Sequence, residues 1–97
     1  MVLQALREVE TALATYDAEA RRNRHLDEAT TQASAYAHRA ATRVRLGDAA
    51  GLLQIDAERA LASARLTKVQ GDMAVTQSEI ALFRALGGGW RNAAETR

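Results

Sequence analysis

The 97-residue chain contains no cysteine, no proline and only four aromatic side chains, Tyr16, Tyr36, Phe83 and Trp90. The lack of cysteine excludes a disulfide framework, a thiolate nucleophile and a thiolate metal site. The lack of proline removes the residue that most reliably interrupts a helix, because its ring takes away an N–H and clashes with the preceding turn. Few aromatics argue against a compact globule built on large anchors, and abundant alanine suits helices that approach closely. Charge of one sign is also missing. A formal net charge of +1 gives no bulk attraction to nucleic acid or to anionic lipid. Long apolar runs are absent too. No window approaches the roughly 20 apolar residues that a membrane-spanning helix needs, and the first residues lack the apolar centre of a signal peptide. The segment is therefore expected neither to span a membrane nor to bind nucleic acid.

What is present is helical periodicity on both sides of one short stretch, Arg45-Leu46-Gly47-Asp48-Ala49-Ala50-Gly51. Gly47 is suited to stop a first helix, since it takes the left-handed conformation without steric cost. Asp48 is expected to cap the second helix, with Ala49, Ala50 and Gly51 in its first turn. Residues 2–45 carry apolar side chains at alternating spacings of three and four: Val2, Leu6, Val9, Leu13, Tyr16 and Ala20. The stripe falters at Asn23 and resumes in a new phase at Leu26, Ala29, Ala33, Tyr36, Ala40 and Val44. That predicts one continuous helix whose seam drifts. Met1 is followed at once by in-phase apolar residues without a cap, as in a helix entered partway along its length.

The second run carries two seams. One is large: Leu52, Ile55, Arg59, Ala62, Leu66, Val69, Met73, Thr76, Ile80 and Phe83, with heptad spacing throughout. The other is small after its first member: Leu53, Ala57, Ala60, Ala64, Thr67, Gly71, Ala74, Ser78, Ala81 and Ala85. Two seams predict two neighbours for this helix, and a lone hairpin supplies one. The expected fold is all-α, a long antiparallel coiled-coil-like hairpin belonging to a larger helical assembly. Its expected parts are a helix over 2–45, a tip turn at 46–49, a helix over 50–86, a glycine-rich end at 87–90 with Trp90 as an amphipathic anchor, and a polar tail at 91–97.

Chemical motifs are sparse. His25 and His38 lie more than three helical turns apart and cannot share a metal. Ser34, Ser63 and Ser78 lack a base with its orienting partner. Gly87-Gly88-Gly89 lacks the Gly-Lys-Ser/Thr ending of a phosphate loop. The clusters Arg21, Arg22, Arg24 and Arg39, Arg43, Arg45 are balanced by Glu19, Asp27, Glu28 and Asp48, which favours a solvated face over a phosphate-binding one. No enzyme activity and no cofactor are expected. Asp56, with Arg59 three residues on, reads equally as a surface ion pair or as a charge lining something near the tip.

Three stretches resemble the TolC family of outer-membrane efflux proteins, and its NodT-type branch in particular. Leu82-Phe83-Arg84-Ala85-Leu86-Gly87-Gly88-Gly89-Trp90 is similar to the family's C-terminal signature. Val2-Leu3-Gln4-Ala5-Leu6 resembles its Val-x-x-Ala-Leu segment, and Arg45-Leu46-Gly47 followed by Leu52-Leu53-Gln54-Ile55-Asp56 resembles its periplasmic tip and return helix. The matches fall in family order and spacing. The resemblance implies a C-terminal fragment of a longer protein: the last periplasmic hairpin of a trimeric duct with a periplasmic α-barrel. Such a duct, on the periplasmic side of the outer membrane, exports small solutes with an inner-membrane transporter and a periplasmic adaptor. It implies adaptor docking at Val44, Arg45, Leu46, Gly47, Asp48 and Leu52, and an aperture-lining carboxylate at Asp56. Val44, Ala49 and Leu53 stand where TolC has a gating tyrosine, an arginine and a second aspartate, so its gating network is not implied. The competing expectations are a coiled-coil module that self-associates through the small seam and a non-functional gene fragment.

Overall fold

A computed structural model describes the backbone of residues 2–95 and side-chain surroundings through residue 87. Two helices account for nearly all of it: α1, Val2–Arg45, and α2, Gly51–Glu95. They lie antiparallel as a rod with principal extents of 76 × 14 × 12 Å. A rod one helix thick has almost no interior. Among the described residues no large side chain is fully buried, and the buried apolar residues are Ala37, Ala40 and Ala57, with Leu53 and Leu61 packed against them.

The helices meet along an unbroken seam. On α1 a stripe of residues turned from solvent runs through Ala5, Val9, Ala12, Tyr16, Glu19, Asn23, Leu26, Thr30, Ala33, Ala37, Ala40 and Val44, alternating by four and three from end to end, with Ala20, Ala41 and Thr42 part-buried at its flank. The expected change of phase at Asn23 is therefore corrected: Asn23 belongs to the seam. Counting only apolar residues mistook its polar members, Glu19, Asn23 and Thr30, for a gap. It also counted Leu6 and Leu13, which sit one position off the seam and are half-exposed.

On α2 the matching residues are Gln54, Ala57, Leu61, Ala64, Lys68, Gly71, Val75, Ser78, Leu82 and Ala85. Every second one is small: Ala57, Ala64, Gly71, Ser78, Ala85. These five belong to the expected small seam, and three more of its members, Leu53, Thr67 and Ala74, are part-buried beside them. Asn23 and Leu26 fix the register against Gly71, where a β-carbon would come within 2.6 Å of each side chain. The same register brings Thr30 Oγ1 to the Ala64 carbonyl at 3.4 Å and sets Ala33 level with Leu61.

The turn is a complete Schellman motif. The Asp48 N–H donates to the Arg43 carbonyl at 2.8 Å, the Gly47 N–H donates to the Val44 carbonyl at 3.0 Å, and Gly47 has φ 77°. Gly47 therefore plays its expected part. Asp48 does not. α2 begins at Gly51, the Leu53 N–H donates to the Ala50 carbonyl at 3.0 Å, and the Asp48 carboxylate faces back to Arg43 Nε at 3.9 Å. The return bonds of the Schellman turn hold Asp48 to the end of α1, too far back to reach the free N–H groups of α2.

The third correction concerns the far end. α2 runs to Glu95, through the glycines expected to stop it and into the expected tail. Glycine costs about 1 kcal/mol against alanine in a helix. It still donates its N–H, however, and no proline follows to forbid continuation. Elongating an established helix is far easier than starting one. The side chain of Trp90 lies outside the described residues.

Candidate functional site

The expected site residues cluster around the tip. Arg45, Leu46, Gly47, Asp48 and Leu52 are exposed there, with Leu46 at 73% and Leu52 at 66%, while Val44 is half-buried at the end of the seam. Arg43 and Arg45 occupy the last turn of α1, where positive charge complements the helix dipole. The tip thus offers two protruding leucines beside a Arg43–Asp48 ion pair. Asp56 lies one turn into α2, exposed and beside Ile55. Among the described residues neither it nor Arg59 has an oppositely charged partner within ion-pair distance, so of the two readings of Asp56 the surface ion pair with Arg59 does not form.

A second surface was legible only as a pattern. The large seam of α2 faces away from α1. At about 100° per residue its midline lies roughly 160° around the helix from the buried seam. Its large apolar members are exposed by between 47% at Ile80 and 73% at Phe83. Seven such side chains in heptad register, from Leu52 to Phe83, form a patch along nearly the whole of α2. A contiguous apolar face of this length marks an interaction surface. The helix is two-sided, and one side has no partner among the described residues.

No family model, curated protein or solved structure matches the chain.

Elsewhere the surface mixes exposed apolar side chains of α1, Val2, Leu3, Leu6 and Leu13 among them, with charged groups paired locally. Arg21 pairs with Asp17, Arg22 with Glu19 at 3.7 Å and His25 with Glu28 at 3.8 Å, all within single helices. Such exposed pairs contribute little to stability, and three of the arginine-cluster members are engaged in this way or at the tip. Two shallow furrows flank the helix pair. One lies between the first turns of α1 and the Ser78–Ala85 stretch of α2, the other beside Thr30, His38 and Arg65. Both are wide open to solvent, unlike the enclosed clefts that hold small ligands. Among the described residues no group of three or more His, Asp or Glu side chains could hold a metal ion, and no helix is long and apolar enough to cross a membrane.

An exposed hydrogen bond between side chains also joins the helices. Asn23 Nδ2 donates to Asp72 Oδ1 at 2.8 Å, and Lys68 Nζ donates to the same oxygen. The hydrogen bonds from Lys68 and then Asn23 hold the Asp72 carboxyl below the usual aspartate range. Asn23 Oδ1 is buried, lies over Gly71 and has no donor among the described residues. A lone asparagine at a core position of a coiled coil specifies alignment at a cost in stability. Sequence reading missed this contact because Asn23 interrupts the apolar stripe.

Proposed function

We propose that this chain is a helix-packing segment of a larger helical assembly, in which α2 is held between α1 and another helix. The observation that carries the reading is the exposed large seam of α2, Leu52 to Phe83, lying almost opposite the seam that α1 covers. The TolC-family resemblance gives the assembly a specific form: the C-terminal periplasmic hairpin of a trimeric outer-membrane efflux duct. In a duct wall each helix has a neighbour on both sides, which is what α2 requires. In this role the tip docks a periplasmic adaptor through Leu46 and Leu52, flanked by Arg45 and Asp48. Asp56, one turn further along, offers a carboxylate toward the aperture, and the segment itself neither spans the membrane nor performs chemistry.

The test is site-specific photo-crosslinking in cells that make the protein from its natural reading frame. A photoreactive residue at Leu46 or Leu52 is expected to capture a periplasmic adaptor, while one at Arg24, at mid-length on α1, is not. Gly47→Pro combined with Asp48→Lys is expected to reduce both capture and solute efflux. Capture of no adaptor, with efflux unchanged in the double variant, would sink the docking role.

A further inference from the structure

The large seam of α2 is close to palindromic. We infer that in the isolated 97-residue chain its occupant is the same seam of a second copy, running antiparallel, so that four helices form one layer in the order α1, α2, α2, α1. With the two-fold axis between Thr67 and Lys68, Leu52 meets Phe83 of the second copy, Ile55 meets Ile80, Ala62 meets Met73 and Leu66 meets Val69. Four layers of five are apolar against apolar, and in one of them a small side chain faces a long one. The two polar members, Arg59 and Thr76, meet each other in the fifth.

This register is distinguished from its neighbours. Slipping one heptad either way sets Arg59 against Val69 or against Phe83 and strands a guanidinium on an apolar side chain. Parallel pairing stacks Arg59 on its own copy, and like charges at such short range repel. The antiparallel register avoids both. The seam covers more than four heptads, beyond the three or four that sustain a coiled coil.

The flanking charges agree in part. Arg65 has no acidic partner within ion-pair distance among the described residues of its own chain, and the register brings it beside Asp72 of the second copy, twice by symmetry. Further out, Glu58 comes beside Glu79 of the second copy, also twice. That pair is repulsive, and it gives the proposal its sharpest handle.

The pairing needs only the exposed seam and is independent of any duct, where a neighbouring helix would exclude it. The absence of native cysteine permits a clean test. A mixture of Ile55→Cys and Ile80→Cys chains is expected to form an interchain disulfide on mild oxidation. Ile55→Cys alone is expected to form none, because in antiparallel pairing the two copies of position 55 lie about 37 Å apart. By sedimentation equilibrium the unmodified chain is expected to be a dimer. Glu79→Lys, which turns both flanking repulsions into attractions, is expected to lower its dissociation constant about fivefold, and Glu58→Lys with Glu79→Lys to reverse that gain. A monomer at tens of micromolar, rapid disulfide formation by Ile55→Cys alone, or a dimer indifferent to Glu79→Lys would each overturn the inference. A monomer would leave adaptor capture from Leu46 and Leu52 untouched, so the two readings fail separately.

Discussion

The two faces of α2 solve opposite problems. The inner face, toward α1, is built from Ala57, Ala64, Gly71, Ser78 and Ala85 alternating with Gln54, Leu61, Lys68, Val75 and Leu82. It gains close approach, and it carries the interhelical polar contacts from Asn23 to Asp72 and from Thr30 to the Ala64 carbonyl. The outer face carries the bulk: Leu52, Ile55, Leu66, Val69, Met73, Ile80 and Phe83, all at least 47% exposed. Burying a side chain of that size fully is worth about 1.5–3 kcal/mol, so the hairpin leaves much of its hydrophobic driving force unused. Its tightest packing lies where its side chains are smallest. The lesson is that hydrophobic bulk does not identify the intramolecular seam. Shape does, and the bulk is left exposed on the opposite face.

That contrast can be broken most directly at Gly71. Its Cα faces Asn23 and Leu26, and even one added carbon would come within 2.6 Å of both. Gly71→Val is expected to destabilise the hairpin by about 2 kcal/mol through overpacking, with loss of the Asn23–Asp72 hydrogen bond, as urea unfolding followed by circular dichroism would register. The matching change outside, Ile80→Glu, is expected to leave the unfolding free energy of the monomer within about 0.5 kcal/mol while abolishing self-association. Equal sensitivity at the two positions would mean that the faces are not specialised.

How much of this was legible beforehand follows the same division. The hairpin, the span of α1 and the left-handed Gly47 were all readable, because they rest on local rules: periodicity, the absence of proline, and one residue able to take φ 77°. The tip residues Leu46 and Leu52 lie exposed at the end of the hairpin that those rules define. The seam of α1 was misread at Asn23, since a polar residue in an apolar stripe looks like an interruption until its partner across 49 positions of chain is known. Asp48 was misread because Asp at a helix start is a capping signal, and nothing local says that the preceding Schellman turn has already committed it to Arg43. The Gly87–Gly89 stretch was misread because propensity is summed residue by residue, whereas elongation is cooperative.

Two changes of middling size sharpen the comparison. Gly47→Ala is expected to cost about 1 kcal/mol, since a β-carbon in the left-handed region is strained, and Gly47→Asn less. Asn23→Leu tests whether the interhelical polar contact contributes stability or specificity. It removes a buried carbonyl oxygen that has no donor among the described residues, and it adds apolar contact inside the seam. Thermal unfolding is expected to show a gain of about 1 kcal/mol. A loss of that size would show instead that the bond from Asn23 to Asp72 is a net stabilising interaction.

The smallest expected effect is the pH dependence of that same contact. Asp72 accepts from Lys68 and from Asn23, and both bonds favour its ionised form, so its pKa is lower in the folded chain than in the unfolded one. The sign follows from proton counting. Between the two values the unfolded state binds more protons, so stability rises with pH through that window. The contribution is fully present above the unfolded value, near pH 4, and is lost as the pH falls through the lower folded value. Because Asp72 is largely exposed, the effect should be modest and should shrink with added salt. The discriminating comparison is Asn23→Leu, which removes the secondary cause of the shift and leaves the primary one, Lys68. In that variant the acid-side loss of stability is expected to narrow without vanishing, whereas Lys68→Met should remove most of it. If Lys68→Met left the acid limb unchanged, the interhelical bond from Asn23 would be the dominant electrostatic contact of the inner face.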